Sequence, residues 1–209
     1  MNAVRRRYLI AALIAVLSGG SPSAVAQEPP LANGVFLVAK PDLLDPNFQE
    51  AVVLITEPGV GVGPLGVIVN RPFGARLSEV VPDAPKIPEK FDAIYGGGPV
   101  ARNRLLFLVR TQQRPERSLR VLADVYLSGD PAVLEQVERG EVTAFRAYAG
   151  YSSWAPGQLQ SEILRGGWYV VQADAEMIFA DEPAGMWAEL IKRIAAKRAA
   201  LGKTYARLR

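Results

Sequence analysis

Ala51-Val52-Val53-Leu54-Ile55-Thr56, a break, then Leu65-Gly66-Val67-Ile68-Val69-Asn70: these two runs decide the fold. Each is too short for a stable helix and rich in β-branched residues, so each is read as a short buried strand. Between them, residues 57–64 carry Gly59, Gly61 and Gly63 with Pro58 and Pro64. Glycine supplies positive-φ freedom and proline stops regular structure, so the chain turns back on itself and the two strands form a hairpin.

Further strands are expected outward from this hairpin. Residues 36–39 read as one. Residues 105–110 and 119–127 read as a pair joined by the polar segment 112–117, and residues 143–150 and 168–172 as two more. Helices are interspersed. Residues 77–81 suit a single turn before the proline-rich stretch 82–88. Asp130-Pro131 marks a helix start, because aspartate caps free amides and proline at the first position loses no hydrogen bond. Val133, Leu134 and Val137 give that helix its apolar face, and Gly140 ends it. Residues 157–164 read as a helix, and the last helix starts near Asp181-Glu182-Pro183 with Trp187, Leu190, Ile191 and Ile194 as its buried stripe. Paired strands followed by interspersed helices indicate a single α+β domain rather than a doubly wound parallel sheet.

Residues 1–26 have the order of an export signal. Arg5, Arg6 and Arg7 precede an apolar run over 8–17, and Ala24-Val25-Ala26 fits small-x-small cleavage before Gln27. The expected mature protein is periplasmic or secreted, with 209 − 26 = 183 residues: a lead-in over 27–33, a domain over 34–194 and a basic tail over 195–209. Its charge is 24 − 3 = 21 basic against 21 acidic residues, which argues against direct nucleic-acid binding. The chain has no cysteine and no histidine. That excludes disulfides, thiolate nucleophiles, imidazole ligands and a Ser-His-Asp triad, and no cofactor is expected.

Four motifs have binding readings. Asp42, Asp45 and Asn47 suit a hard cation, although turn stabilisation is the plainer role. Arg71, between Asn70 and Pro72, is held in a restricted direction and suits a carboxylate or phosphate; the residues favour an internal ion pair with a carboxylate such as that of Asp45. Gly96-Gly97-Gly98 suits an anion nest, or more simply a tight turn leading into a strand. Gly150-Tyr151-Ser152-Ser153-Trp154, followed by Gln158, sits at an expected strand-to-helix junction. Packing of Trp154 and capping by Ser153 account for that run, and a Ser152–Lys40 pair is its catalytic alternative.

Taken in order, these runs resemble the YqgE/AlgH family of bacterial proteins. The resemblance rests on residues 36–41 with Asp45-Pro46-Asn47-Phe48, residues 66–72, Gly97-Gly98-Pro99-Val100 and Leu127-Ser128-Gly129-Asp130. Gly150-Tyr151, Trp154, residues 156–159, Glu162 and Gly167-Trp168 complete it. It implies a mostly antiparallel curved sheet forming a pseudo-barrel decorated by helices, with no agreed enzymatic activity and a label of transcriptional regulator. This chain departs from the family pattern in its export signal, in Ser152-Ser153 where Ala-Gly is commoner, and in the tail from Ala195.

The expected function is a non-catalytic, exported binding or accessory domain, its partner a protein or a small anionic ligand. The binding residues would be Asp45, Asn47, Asn70, Arg71, Gly97, Gly98, Tyr151, Trp154 and Gln158. Asn70, Arg71, the two glycines and Tyr151 are expected to converge on one face. The alternatives are an indirectly acting cytoplasmic regulator and a small hydrolase using carboxylates or Lys40. Weak membrane-surface contact through the tail competes with its reading as a solvated helix end.

Overall fold

The hairpin forms as expected: Val53 lies opposite Ile68 and Ile55 opposite Gly66 in an antiparallel pair. The computed structural model describes residues 34–56, 63–81 and 86–207. The hairpin tip with Gly59 and Gly61, part of the proline-rich stretch, the expected export signal and the expected lead-in lie outside the described residues. The strands are β1 (Val35–Ala39), β2 (Val52–Thr56), β3 (Leu65–Ile68), β4 (Pro72–Arg76) and β5 (Ala93–Gly96). They continue as β6 (Val100–Arg110), β7 (Ser118–Arg120), β8 (Val125–Ser128), β9 (Ala144–Ser153) and β10 (Trp168–Gln172). The helices are α1 (Leu77–Val80), α2 (Val133–Glu138), α3 (Gln158–Leu164), α4 (Ala175–Ile178) and α5 (Met186–Arg207).

The sheet order is β10-β1-β2-β3-β9-β6-β8-β7, with β5 parallel to β9 and β4 paired with β5. The other pairings are antiparallel, and the sheet curls into a half-barrel. β9 is its spine. One edge of β9 carries β6, and the other is shared by β5 and β3.

Both faces of the central strands are covered, which is why their sequences are unbroken apolar runs. Phe36, Val38, Val52 and Leu54 pack on the side closed by α5 through Trp187, Leu190, Ile191 and Ile194. The alternate residues Leu37, Val53 and Ile55 pack with Trp154, Leu159 of α3 and Trp168. A third cluster joins Phe107, Val109 and Phe145 to Val133, Leu134 and Val137 of α2. Each such fully buried side chain contributes about 1.5–3 kcal/mol, so a core of this extent replaces the disulfides that the chain lacks.

Several boundaries differ from expectation, each for a local reason. The expected strand over 119–127 breaks into β7 and β8, and it is β8 that pairs with β6. The break falls at Asp124, whose carboxylate accepts from Arg110 Nε at 2.7 Å while Val121 N and Leu122 N both donate to the Val125 carbonyl. β6 starts earlier than expected, through an irregularity where Ala101 has φ 47°. β4 and β5 were not expected, because Pro72, Phe73, Gly74 and Arg76 are exposed and form no apolar run. α2 starts at Val133, and Asp130 acts just ahead of it by accepting the Ala132 amide at 3.0 Å. β9 runs on through Ser153, so Gly150 to Ser153 is strand rather than a junction. α4 was also missed; Asp174 caps it by accepting the Met177 amide at 2.8 Å. α5 begins at Met186, after a 3₁₀ turn at Pro183–Gly185.

Candidate functional site

Arg71 sits between β3 and β4, half-buried, with its guanidinium laid over the loop that precedes β2. Nη1 donates to the Asn47 carbonyl at 2.7 Å and Nη2 to the Gln49 carbonyl at 3.1 Å. The favoured ion pair with Asp45 does not form. Asp45 Oδ1 accepts the Asn47 amide at 2.8 Å, because a short carboxylate in a turn meets neighbouring amides before it meets a distant cation. Asn70 joins the same loop to the hairpin: its Oδ1 accepts Val52 N at 2.8 Å and its Nδ2 donates to the Glu50 carbonyl at 2.9 Å.

The glycines bring a second segment to the same place. The Arg71 carbonyl accepts the Gly96 amide at 2.8 Å, and the Gly97 carbonyl accepts the Ile68 amide at 2.8 Å. A Cβ on Gly97 would lie 2.2 Å from the Gly150 carbonyl oxygen, and one on Gly98 2.3 Å from the Tyr151 backbone. Glycine at both positions therefore lets the chain cross against β9, and the Gly97 amide is spent on the Ala149 carbonyl at 2.9 Å. The turn reading holds and no anion nest is left open. Asn70, Arg71, Gly97, Gly98 and Tyr151 thus meet where β3, β4 and the β5–β6 connection reach β9.

Arg102, just beyond this crossing, adds a second cation. It stacks over the exposed ring of Phe73 at 5.8 Å, and its charge, after burial, helps to lower the pKa of Arg71. Among the described residues, neither arginine has a carboxylate within ion-pair distance. An arginine has five N–H donors, so the two spent on carbonyls leave Arg71 with 5 − 2 = 3. Glu50 (φ 54°) and Ala101 (φ 47°), both in left-handed backbone, flank the two cations. Arg102 and Phe73 were missed in the sequence; the signal was a basic residue two positions after the Gly96–Val100 turn.

Trp154 and Gln158 belong elsewhere. Trp154 stacks on Phe48 at 5.8 Å, and Trp168 meets both rings edge-on. Both indole N–H groups donate to Glu162 Oε2 at 3.0 Å, and Gln158 Nε2 donates to Glu162 Oε1 at 2.9 Å. This is a packing cluster around one carboxylate. Ser152 is fully buried with its hydroxyl directed at the Gly97 carbonyl, 3.4 Å away. Lys40 lies over the Tyr169 ring at 4.8 Å. Their contacts do not join them as nucleophile and base.

A small α+β half-barrel that gathers free arginine donors at the end of its spine strand is the class of domain these features define. The chain belongs to the AlgH-like family (DUF179), whose profile matches residues 36–199. It is 31% identical over 172 residues to a UPF0301 protein of Chlamydia abortus, covering 82% of this chain and 90% of that one. A UPF0301 protein of Mycobacterium bovis is 37% identical over 168 residues, covering 77% and 81%. Among solved structures, the AlgH protein of Pseudomonas aeruginosa matches with a TM-score of 0.64 and 31% identity, over 84% of this chain and 92% of that one. A Corynebacterium diphtheriae protein matches with a TM-score of 0.68 and 27% identity, over 80% and 89%.

Proposed function

We propose that this chain is a non-catalytic binding or accessory domain working outside the cytoplasm, and that its Arg71–Arg102 face receives an anionic group from a partner protein or small ligand. The observation that carries the reading is Arg71 itself: a half-buried guanidinium, aimed by two carbonyls, with three donors left and no carboxylate. Leaving such a cation uncompensated is unfavourable unless an anion completes it. The strained backbone on either side supports the same reading, since left-handed non-glycine residues cluster where geometry serves binding. The exported location rests on the basic, apolar and small-residue order of residues 1–26.

Two measurements test this. Calorimetric titration with a glutamate-rich peptide and with inorganic phosphate at low salt should give binding that Arg71→Ala weakens at least about tenfold, a loss near 1.4 kcal/mol. No heat with either probe, or heat unaffected by Arg71→Ala, overturns the anion site. N-terminal sequencing from the native host should begin at Gln27; an intact Met1 on soluble protein overturns export.

A further inference from the structure

Behind the Val69–Arg71 segment lies a second arginine with the same deficit, more deeply placed. Arg146, on β9, is 6% exposed. Its Nη1 donates to the Val69 carbonyl at 3.3 Å, its Nη2 donates to the Ala180 carbonyl, and its guanidinium lies 4.6 Å from the centre of the Tyr95 ring. Among the described residues no carboxylate stands within ion-pair distance of it. The neighbouring Tyr148 hydroxyl is fully buried without a well-formed hydrogen bond, and burial pushes its pKa up to about 12. A cation this buried is normally paired, because removing charge from water is expensive.

Arg146 lines a cavity of about 200 Å³ walled by Phe91, Tyr95 and Phe179, with Lys90 and Asp181 also lining it. A cavity of about 150 Å³ is known to accept benzene, so this one has room for a ring and a small substituent. The walls ask for a flat apolar body and Arg146 for a carboxylate. Asp181 disfavours a second negative charge on the ligand and can accept from a hydroxyl or amine.

We infer that this cavity is a binding site for a small aromatic monocarboxylate, with the carboxylate on Arg146 and the ring against Tyr95, Phe91 and Phe179. It shares no lining residue with the Arg71–Arg102 face, so the two sites stand or fall separately. The N–H groups of Arg146 not spent on its two carbonyl bonds, one of them facing the Tyr148 hydroxyl, form a planar fork that suits a carboxylate better than lysine's point charge would.

The test is an NMR titration of the mature chain with benzoate, following backbone amides and arginine Nε–H signals. Saturable shifts centred on Arg146, Tyr95 and Ala144, with Kd about 1 mM or tighter, are expected. Benzyl alcohol and inorganic phosphate should each bind at least about tenfold more weakly, as each lacks half of the recognition. Arg146→Lys should weaken benzoate at least about tenfold. Ala144→Leu fills the cavity while leaving the carbonyl bonds of Arg146 intact, so it should abolish binding even if the arginine variant fails to fold. Arg71→Ala should leave benzoate binding unchanged. Absence of saturable shifts, equal binding of phosphate, shifts centred on Arg71 and Arg102, or full binding to the Ala144→Leu variant would each overturn the assignment.

Discussion

Glu162 carries more of this molecule than its place in the sequence suggests. One of its oxygens accepts both the Trp154 and the Trp168 indoles at 3.0 Å, and the other accepts Gln158 at 2.9 Å. Replacing it with leucine would strand two indole donors, at about 1–3 kcal/mol each. Urea unfolding of Glu162→Leu should therefore show a loss of about 2–6 kcal/mol, and Glu162→Gln, which keeps one acceptor, a smaller one. Equal midpoints for wild type and Glu162→Leu would contradict the cluster. Trp168→Ala should lose about 3–5 kcal/mol as a buried aromatic, without changing anion binding at Arg71. The sequence made Trp154 visible as a distinctive residue but not its partner, because Glu162 reaches it only once β9 and α3 are folded together. Arg71 was legible for a similar reason and only as far: Pro72 marked it as directed, yet its partners are carbonyls, and a carbonyl has no signature in the sequence.

At the scale of the element, the hairpin was readable and the β4–β5 pair was not. β2 and β3 are buried on both faces, so their composition alone declares them. β4 is mostly exposed and held by backbone pairing to β5, and its side chains carry no period. What anchors this region is Asp92, 7% exposed, which accepts Ser78 N and Ser78 Oγ at 2.8 Å each and lies 3.2 Å from Arg76 Nε. Burial pushes its carboxyl up, but the Ser78 hydrogen bonds and the Arg76 charge together outweigh it and hold the pKa below 3.8. A lowered folded pKa means that this stabilisation is present above 3.8 and fades as pH falls from there through the folded value. Acid unfolding of Asp92→Asn should therefore lose that part of the pH dependence, and an unchanged acid slope would contradict it. The glycines make a second comparison. Gly97→Ala drives a Cβ into the Gly150 carbonyl and should destabilise by about 3 kcal/mol or more. Gly140→Ala meets open space at φ +71° and should lose only about 1–2 kcal/mol. Thermal melts that rank the two in the opposite order would refute the crossing as the reason for glycine.

Over the whole molecule, charge is divided more sharply than its sum reveals. Residues 192–209 carry seven basic side chains and no acid, so residues 27–191 carry 21 − 7 = 14 basic against 21 acidic, a balance of −7. The half-barrel curl itself could not be read from strand composition, which gives pairs but no closure; the family resemblance supplied it, and β9 with neighbours on both edges realises it. The tail, by contrast, follows from the stripe: among the residues whose burial is described, the last partly buried apolar one is Ile194, and residues 195–204 are exposed. Arg198 over the Tyr169 ring, 4.8 Å away, is its tie to the sheet. Lysine and arginine at a helix C-terminus also complement its dipole, so much of the tail's charge has a structural use. Seven such residues would add about 1 kcal/mol each at an anionic membrane if they acted alone. They do not act alone, because at low salt the Debye length, about 30 Å at 0.01 M, lets the acidic body repel the same surface. Co-sedimentation with phosphatidylserine vesicles should accordingly give equal, negligible pelleting for a chain of residues 27–209 and for one of residues 27–196, with melting midpoints that differ little. Pelleting of the longer chain alone, reversed by salt, would show instead that the tail outweighs the body and brings the domain to membranes.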